Sequence, residues 1–146
     1  MFDLDSIFNW HRFSELITTS GQPREDGLAA IYDLGVRHIV NLGLHDHKFA
    51  LPDEAEKVAA LGMDYIHIPV DFAAPTNQDF VRFCAVVERL KGQPIHVHCI
   101  ANYRVTAFLY LYRRDRLGDD EAAARAEMES IWQPTGVWVE FTANRR

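Results

Sequence analysis

The stretch QPIHVHCIANYRVTAFLYLY, residues 93–112, contains the signals that decide the fold. Its first seven residues include the β-branched Ile95 and Val97 in alternation, and they predict a buried strand that ends at Cys99. A short loop follows, and from Arg104 the apolar residues recur at helical spacing, which predicts a helix over 104–118. The sequence therefore predicts that a cysteine lies where a buried strand ends and a loop leads into a helix.

Helix and strand signals alternate along the rest of the chain. Strands are predicted from Val36 to Leu42 and over 63–70, because these runs are rich in β-branched and aromatic residues. Helices are predicted over 23–35, 52–62, 76–92 and 119–132, and the tail after residue 133 is expected to form a last turn or short helix. Helices of ten or more residues between strands imply right-handed crossovers. We predict a single α/β domain over residues 1–146, with a central, mainly parallel sheet flanked by helices.

The composition excludes several classes of function. The chain has 146 residues, of which 48% are hydrophobic and 25% charged, as in ordinary soluble globular proteins. A formal net charge of −6 argues against a nucleic-acid-binding protein. The sequence contains no apolar run long enough for a membrane span and no signal peptide, so we expect a cytoplasmic protein that binds no membrane. The two cysteines, Cys84 and Cys99, do not indicate a disulfide scaffold.

The position of Cys99 favours a functional role. In parallel sheets of this kind, ligands bind beyond the carboxyl ends of the strands. The start of the next helix directs free N–H groups and a positive dipole end at the loop, which creates an anion site and favours a reactive thiolate. The alternative is that Cys99 is a small buried hydrophobic residue, which is the better interpretation for Cys84 on the apolar face of its helix.

The residues VHC, followed by a loop with arginine and then threonine, resemble the cysteine-dependent protein tyrosine and dual-specificity phosphatases. The stretch TSGQPREDGLAAIYDLGVRHIVNL, Thr19 to Leu42, is similar to the small bacterial branch of that superfamily, which also occurs fused to β-lactamase-like hydrolases. The similarity extends from about Thr19 to Gly118. It implies a phosphatase-like fold and hydrolysis of phosphate monoesters through a phosphocysteine intermediate, without a metal or other cofactor. The implied substrate is a phosphorylated protein or a small phosphorylated molecule.

The signature loop is one residue shorter than in that superfamily, which places five residues between cysteine and arginine and a serine or threonine directly after the arginine. In one alignment Arg104 clamps the phosphate in a tighter loop. In the other, Asn102 takes the usual glycine position, Val105 takes the arginine position and Thr106 keeps the hydroxyl. We favour the second alignment for the backbone shape, because asparagine tolerates the left-handed conformation. The phosphate-binding residues are then Ile100, Ala101, Asn102, Tyr103, Arg104 and Val105.

The resemblance implies Cys99 as the nucleophile and Arg104 as the phosphate clamp. The alternative role for Arg104 is that of a surface arginine that binds an acid or covers the start of the helix. A general acid is also needed for the leaving oxygen, and Asp71 is the candidate because it follows a strand in a loop with two prolines. Its competitor, Asp79, falls in the first turn of a helix, where the helix dipole explains an acid.

Two further residues are expected to support the loop. His98 resembles the histidine of the family, which orders the loop through backbone hydrogen bonds. Thr106 is expected either to bind the thiolate or to donate to a carbonyl one helical turn back. The loop LHDHK, residues 44–48, has two histidines and an acid but no well-placed third ligand, so no metal site is predicted. Three aromatic residues are predicted to clamp the C-terminal tail on the core: Trp132, Trp138 and Phe141.

Three functions from different classes remain compatible with these residues. The first is a cysteine-dependent phosphatase. The second is a module on the same fold that binds phosphate or phosphopeptides and has little or no catalytic activity because its loop is short. The third is a thiol or redox protein that uses an activated Cys99, and the absence of a nearby resolving cysteine in the sequence counts against it.

Overall fold

The computed structural model describes residues 2–143. The strands are β1 (His11–Arg12), β2 (Ile17–Ser20), β3 (His38–Asn41), β4 (Asp64–His67) and β5 (Ile95–His98). They form one sheet in the order β1-β2-β5-β3-β4, in which β2, β5, β3 and β4 are parallel and β1 pairs antiparallel with β2. The prediction of a mainly parallel sheet flanked by helices is confirmed.

The helices cover both faces of this sheet. They are α1 (Glu25–Asp33), α2 (Glu54–Ala60), α3 (Asn77–Arg89), α4 (Tyr103–Asp115), α5 (Glu121–Glu129) and α6 (Val137–Ala143). A 3₁₀ turn over Leu4–Ser6 precedes the first strand. None of these helices is long and apolar enough within residues 2–143 to cross a membrane.

Alternation along the strands divides the core into two layers. Val40 and Val97 face the larger cluster, which packs against α3, α4, α5 and α6, whereas Ile39 faces a smaller cluster against α1 and α2. The central helix α4 is buried along almost its whole length, and Phe108 receives the rings of Phe80 and Phe83 edge-on at 5.6 Å. This dense packing holds the beginning of α4 rigidly against the end of β5.

A capping box at Thr76 starts α3. The Thr76 hydroxyl oxygen accepts the Asp79 N–H at 3.0 Å, and the Asp79 carboxylate accepts the Thr76 N–H at 3.2 Å. Such a reciprocal pair satisfies two backbone donors that a helix start leaves free. This capping role accounts for the presence of an acid at position 79.

The aromatic residues of the C-terminal part do clamp it on the core, as predicted. Trp138 is fully buried between Phe108 and Phe141, and its indole N–H donates to the carbonyl of Phe72 at 2.8 Å. Helix α6 therefore holds the loop between β4 and α3 through this hydrogen bond to Phe72. Residues 144–146, the end of the predicted tail, and residue 1 lie outside the described part.

The sequence analysis missed β1 and β2. The strand β2 carries Thr18, Thr19 and Ser20, whose polar side chains do not resemble those of a buried strand, yet all three are buried. Hydrogen bonds offset this burial, because the hydroxyls of Thr18 and Ser20 bind the two ring nitrogens of His96 at 2.8 and 2.9 Å. The predicted strand over 63–70 is also shorter in the structure, since Pro69 has no N–H for the ladder.

Candidate active site

The loop between β5 and α4 lies at the carboxyl edge of the sheet, beside the end of β2. Gly21 follows β2 and makes the close approach to this loop possible. A Cβ atom at Gly21 would lie 2.5 Å from the carbonyl oxygen of Ile100, a distance that backbone atoms do not tolerate. The next residue, Gln22, donates its backbone N–H to that same carbonyl at 3.0 Å. The Gly21-Gln22 pair therefore holds the loop against the end of β2.

The carbonyl groups of residues 99–102 all point away from the inside of the loop, because each accepts a hydrogen bond from the surrounding protein. The donors are the ring of His98 to Cys99, the N–H of Gln22 to Ile100, the amide of Asn9 to Ala101 and the N–H of Thr106 to Asn102, at 2.9 to 3.0 Å. In a trans peptide the C=O and N–H bonds point in opposite directions. The N–H groups that follow these carbonyls are consequently directed towards the inside.

The N–H groups from residue 100 to residue 105 have no hydrogen-bond partner among residues 2–143. They surround the start of α4, where the dipole of the helix adds a positive partial charge. A row of inward N–H groups at a helix start is the usual way in which proteins bind phosphate and other oxyanions. The loop therefore forms a row of hydrogen-bond donors suited to an oxyanion, which we call the cradle.

Asn102 shapes this cradle through its backbone. It has φ of 71°, the left-handed conformation expected for the residue in the glycine position of the family's loop. Its side chain is buried and donates to the carbonyl of Asn9 and to the hydroxyl of Thr19, at 2.9 and 3.0 Å. These bonds stabilise a backbone conformation that costs energy for a residue with a Cβ atom.

Arg104 is buried without a counter-ion. The residue is only 6% exposed, its Nε has no hydrogen-bond partner, and no carboxylate lies within ion-pair distance among the described residues. Its guanidinium lies 5.3 Å from the ring centre of Phe72. This placement excludes the alternative of a surface arginine bound to an acid. Buried cations are normally paired, so a buried guanidinium beside a row of free N–H groups is suited to bind an anion.

The other loop residues have structural contacts. Tyr103 stacks on Trp132 with the ring centres 4.5 Å apart, and Val105 is fully buried in the core. Thr106 donates to the carbonyl of Tyr103 at 3.2 Å, which is the structural alternative considered for this hydroxyl. Cys99 is 1% exposed and unpaired with any other cysteine, and its N–H donates to the carbonyl of Ser20 at 3.4 Å.

His98 connects the cradle to a buried acid that the sequence did not single out. Its Nε2 lies 2.6 Å from a carboxylate oxygen of Glu54, at the start of α2. The other carboxylate oxygen accepts the side-chain amide of Gln22 at 2.8 Å. Glu54 is 4% exposed, and helix periodicity placed it in a first turn, where acids are common for another reason. The signal that identifies it is its burial.

The hydrogen bonds define the charges of this pair. The Nδ1 atom of His98 faces the carbonyl of Cys99, which can only accept, so it must carry a proton. Burial would by itself raise the pKa of Glu54, but the charge of His98 and the hydrogen bonds from His98 and Gln22 lower this pKa below its ordinary value. Glu54 is thus ionised, Nε2 of His98 donates to it, and His98 is an imidazolium directly behind the loop.

His96 has the opposite charge state. Complete burial and the neighbouring charge of His98 lower the pKa of His96 well below its ordinary value. The Ser20 hydroxyl donates to the carbonyl of Gly21, so it accepts from Nε2 of His96, and Thr18 donates to Nδ1. His96 is therefore a neutral residue that joins β2 to β5.

Asp71 lies in the exposed loop after β4. Its carboxylate accepts the N–H of Ala73 at 3.0 Å and its carbonyl accepts the N–H of Ala74, so it organises a local turn. The next residue, Phe72, contacts Arg104. The turn thereby places Asp71 next to the residue that covers the guanidinium.

The histidines of the 44–48 loop contact aromatic and backbone groups of the protein. The ring of His45 stacks on that of His67 at 3.8 Å, and its Nε2 lies 2.8 Å from the hydroxyl of Tyr65. The Nε2 of His67 donates to the carbonyl of Gly43 at 2.6 Å, and burial lowers the pKa of His67. In the part of the chain that is described, no three His, Cys, Asp or Glu residues are arranged to hold a metal ion.

Solved structures with this architecture are numerous. A DUF442 protein of Shewanella putrefaciens CN-32, described as a candidate phosphatase, is 32% identical, with 95% of this chain and 91% of that chain covered and a TM-score of 0.84. The catalytic domain of the PP-IP phosphatase SIW14 from S. cerevisiae, in complex with citrate, is 14% identical with a TM-score of 0.77, covering 94% and 86%. A cysteine-to-serine variant of TpbA from P. aeruginosa, in complex with pTyr, is 19% identical with a TM-score of 0.71, covering 88% and 75%.

The sequence itself matches a known family. No curated protein sequence shows a significant match to this chain. The model of the family described as "DSP-PTPase phosphatase fused to NAD+ Kinase" matches residues 11–136, which is most of the chain. The fusion to β-lactamase-like hydrolases that the resemblance implied stays a prediction. The chain therefore belongs to the DSP-PTPase family of cysteine-dependent protein tyrosine and dual-specificity-type phosphatases.

Proposed function

We propose that the chain hydrolyses phosphate monoesters through a phosphocysteine intermediate, with Cys99 as nucleophile, Arg104 as phosphate clamp and Asp71 as general acid. The observation that carries the proposal is Arg104, which is buried beside the free N–H groups of the loop without a carboxylate partner among residues 2–143. The phosphatase relatives support the reaction class, and the pTyr bound to TpbA supports a phosphate ester as substrate. The substrate is a phosphorylated protein or a small phosphorylated molecule, and the site of action is the cytoplasm.

Substrate binding completes the hydrogen bonds of the loop. The phosphoryl oxygens accept the N–H groups of residues 100–105, and the guanidinium of Arg104 supplies a pair of donors in a fork. Of the two alignments of the shortened loop, this proposal uses the one in which Arg104 clamps the phosphate. Val105, which takes the arginine position in the other alignment, is buried in the core and its side chain has no hydrogen-bond donor. Arg104 and the imidazolium of His98 together offset the negative charge of the phosphate.

In the first step the thiolate of Cys99 attacks phosphorus. The S–P bond forms while the bond from phosphorus to the leaving oxygen breaks, and Asp71 donates its proton to that oxygen. The N–H groups and Arg104 bind the equatorial oxygens more tightly as charge develops on them, which lowers the barrier.

In the second step water hydrolyses the intermediate. Asp71, now a carboxylate, accepts a proton from water as the water oxygen attacks phosphorus. The S–P bond breaks with its electrons on sulfur, which restores the thiolate and releases inorganic phosphate. The protons balance over the two steps, and Asp71 ends protonated as it began.

The test is hydrolysis of 4-nitrophenyl phosphate by the wild type and by Cys99→Ser, Arg104→Ala and Arg104→Lys. We expect turnover by the wild type and its loss in Cys99→Ser and Arg104→Ala. Arg104→Lys keeps the charge but not the fork, so it should recover only a small part of the activity. Cys84→Ala, which changes the other buried cysteine, is the control and should stay active.

Acid quenching during turnover should trap a protein heavier by one phosphoryl group, with the modification on Cys99. Absence of turnover, combined with a higher melting temperature in phosphate or vanadate, would instead identify a phosphate-binding module that lacks the chemistry. Turnover that survives in Cys99→Ser would contradict the proposed nucleophile.

A further inference from the structure

A pocket of about 380 Å³ opens directly beside the phosphate cradle. Ile100 and Ala101, whose N–H groups line the cradle, also form one wall of this pocket. The loop and the pocket are therefore adjacent, because they share these two residues. The continuity of the two sites indicates that the pocket receives another part of the same molecule.

Two phenylalanines form the apolar part of this pocket, and both are 59% exposed: Phe8 and Phe49. Their backbones are held in place, because the Phe8 carbonyl accepts the N–H of Gly21 at 2.7 Å and the Phe49 N–H donates to Nδ1 of His47 at 3.1 Å. Exposed phenyl rings forgo hydrophobic stabilisation, which a bound planar ring would restore by stacking.

The charged side chain that lines the pocket, Arg24, is positive. Arg24 lines it and donates from Nη1 to the carbonyl of Phe49 at 2.9 Å. Within residues 2–143, no carboxylate lies within ion-pair distance of Arg24, and none lines the pocket. Lys48 lies over the ring of Phe49 at 5.1 Å and is likewise without an acid partner in that range. In a chain of net charge −6 this local excess of cations needs an explanation.

We propose that this pocket binds the leaving group of the substrate and selects a planar aromatic ring that carries a second acidic group. The ring lies between Phe8 and Phe49, and the acidic group binds the free donors of Arg24. This inference rests on the proposed function, because the cradle positions the phosphate end of the molecule. It deepens that function by identifying which phosphate esters are preferred.

The test compares two pairs of substrates that differ in charge at one position. The charged esters are 3- and 4-carboxyphenyl phosphate, and the uncharged ones are the corresponding carboxamides, which have nearly the same shape. We expect the wild type to favour at least one carboxylate ester over its amide by about fivefold in kcat/KM. The difference should lie in KM, and its size is that of a partly exposed ion pair. Glycerol phosphate, which has no ring, should be the poorest substrate.

Three variants assign the effect to the pocket. Arg24→Gln should remove the preference for the carboxylate, so that this variant hydrolyses the carboxylate and amide esters with equal kcat/KM. Phe49→Ala should raise KM for both aryl esters by a larger factor than KM for glycerol phosphate. The control is Arg12→Gln, because the hydrogen bonds of Arg12 within residues 2–143 go to the carbonyls of Ser14 and Glu15, just before β2. It should keep the wild-type preference.

Calorimetric titration of the same esters onto Cys99→Ser separates this inference from the proposed hydrolysis. Tighter binding of the carboxylate ester, lost when Arg24→Gln is added, would support the pocket even in a chain without turnover. Equal affinity for the carboxylate and amide esters, or a preference that persists in Arg24→Gln, would overturn it. In that case efficient hydrolysis of all the aryl esters would leave the phosphatase function intact.

Discussion

The Oε2 atom of Glu54 lies 2.6 Å from Nε2 of His98, and both side chains are almost completely shielded from water. The other nitrogen of the same imidazole donates to the carbonyl of Cys99. A buried carboxylate thus keeps a positive charge one residue from Cys99. Glu54 is a positioning residue in this arrangement, since it acts on the loop through His98.

Glu54→Gln should weaken the reactivity of Cys99. Glutamine has nearly the same shape but no charge, so His98 loses the partner that keeps its second proton. We expect the pH at which iodoacetamide modifies Cys99 at half its maximal rate to move upward, and kcat/KM at neutral pH to fall about tenfold, equivalent to about 1.4 kcal/mol. Glu88→Gln, which changes the acceptor of the Tyr112 hydroxyl, is the control and should leave the profile unchanged. A lower melting temperature with an unchanged profile would show that the pair is only structural.

Arg104→Met should make the unliganded protein more stable. The substitution replaces an unpaired buried guanidinium with an apolar side chain of similar length, which we expect to raise the free energy of unfolding by about 1 kcal/mol or more. The wild type should gain about 2.7 kcal/mol in phosphate at 100 times the dissociation constant, and the variant should gain nothing. Urea unfolding with and without phosphate measures both effects. Arg116→Met, at an exposed position, should change stability little; a loss of stability in Arg104→Met would contradict the unpaired charge.

Asp71→Asn should affect poor leaving groups most. An alkyl alcohol must be protonated as it departs, whereas 4-nitrophenolate leaves without a proton. We expect kcat for glycerol phosphate to fall about 100-fold or more, and kcat for 4-nitrophenyl phosphate to fall much less. Asp79→Asn should lower stability through its cap without altering the difference between the substrates. An equal loss for both substrates in Asp71→Asn would argue against its role as general acid.

The stability of the protein should fall in mild acid because of His96. Its pKa is lowered in the folded state, so the unfolded chain takes up the proton first as the pH falls below the ordinary value of 6.5. The free energy of unfolding should then decrease by up to about 1.4 kcal/mol per pH unit, and Glu54 should add to the loss below its ordinary pKa of 4.5. Urea titrations between pH 8 and 5 measure the slope. His96→Gln should be less stable throughout but should show a flatter profile.

The sequence predicted those parts of the site that depend on local pattern. The alternation of Ile95 and Val97 with histidines before Cys99 predicted its strand, and Asn102 in the glycine position predicted a left-handed residue, which the structure contains. The hydrophobic spacing also predicted the helices, since periodicity reports which face is buried. These features need only near neighbours in the chain.

Features that depend on distant partners could not be predicted. The polar residues of β2 become buried only because His96, from another strand, accepts and donates to their hydroxyls. In the sequence, Glu54 resembles an ordinary acid at the start of a helix. Its role becomes visible only when folding brings it into contact with His98, which lies 44 positions later in the chain. The burial of Arg104 is likewise a property of the packed molecule.

The hydrogen bonds between Asn9 and the loop join residues 92 and 93 positions apart, from Asn9 to Ala101 and from Asn102 to Asn9. Contacts between residues so far apart in the chain cost more entropy to form than local ones, so these bonds should form after the helices. During synthesis the loop can take up its shape only after Asn102 has been added and has returned to a segment made much earlier. Residues 2–10 thus complete the loop, and a chain without them should lose the hydrogen bonds that fix Ala101 and Asn102.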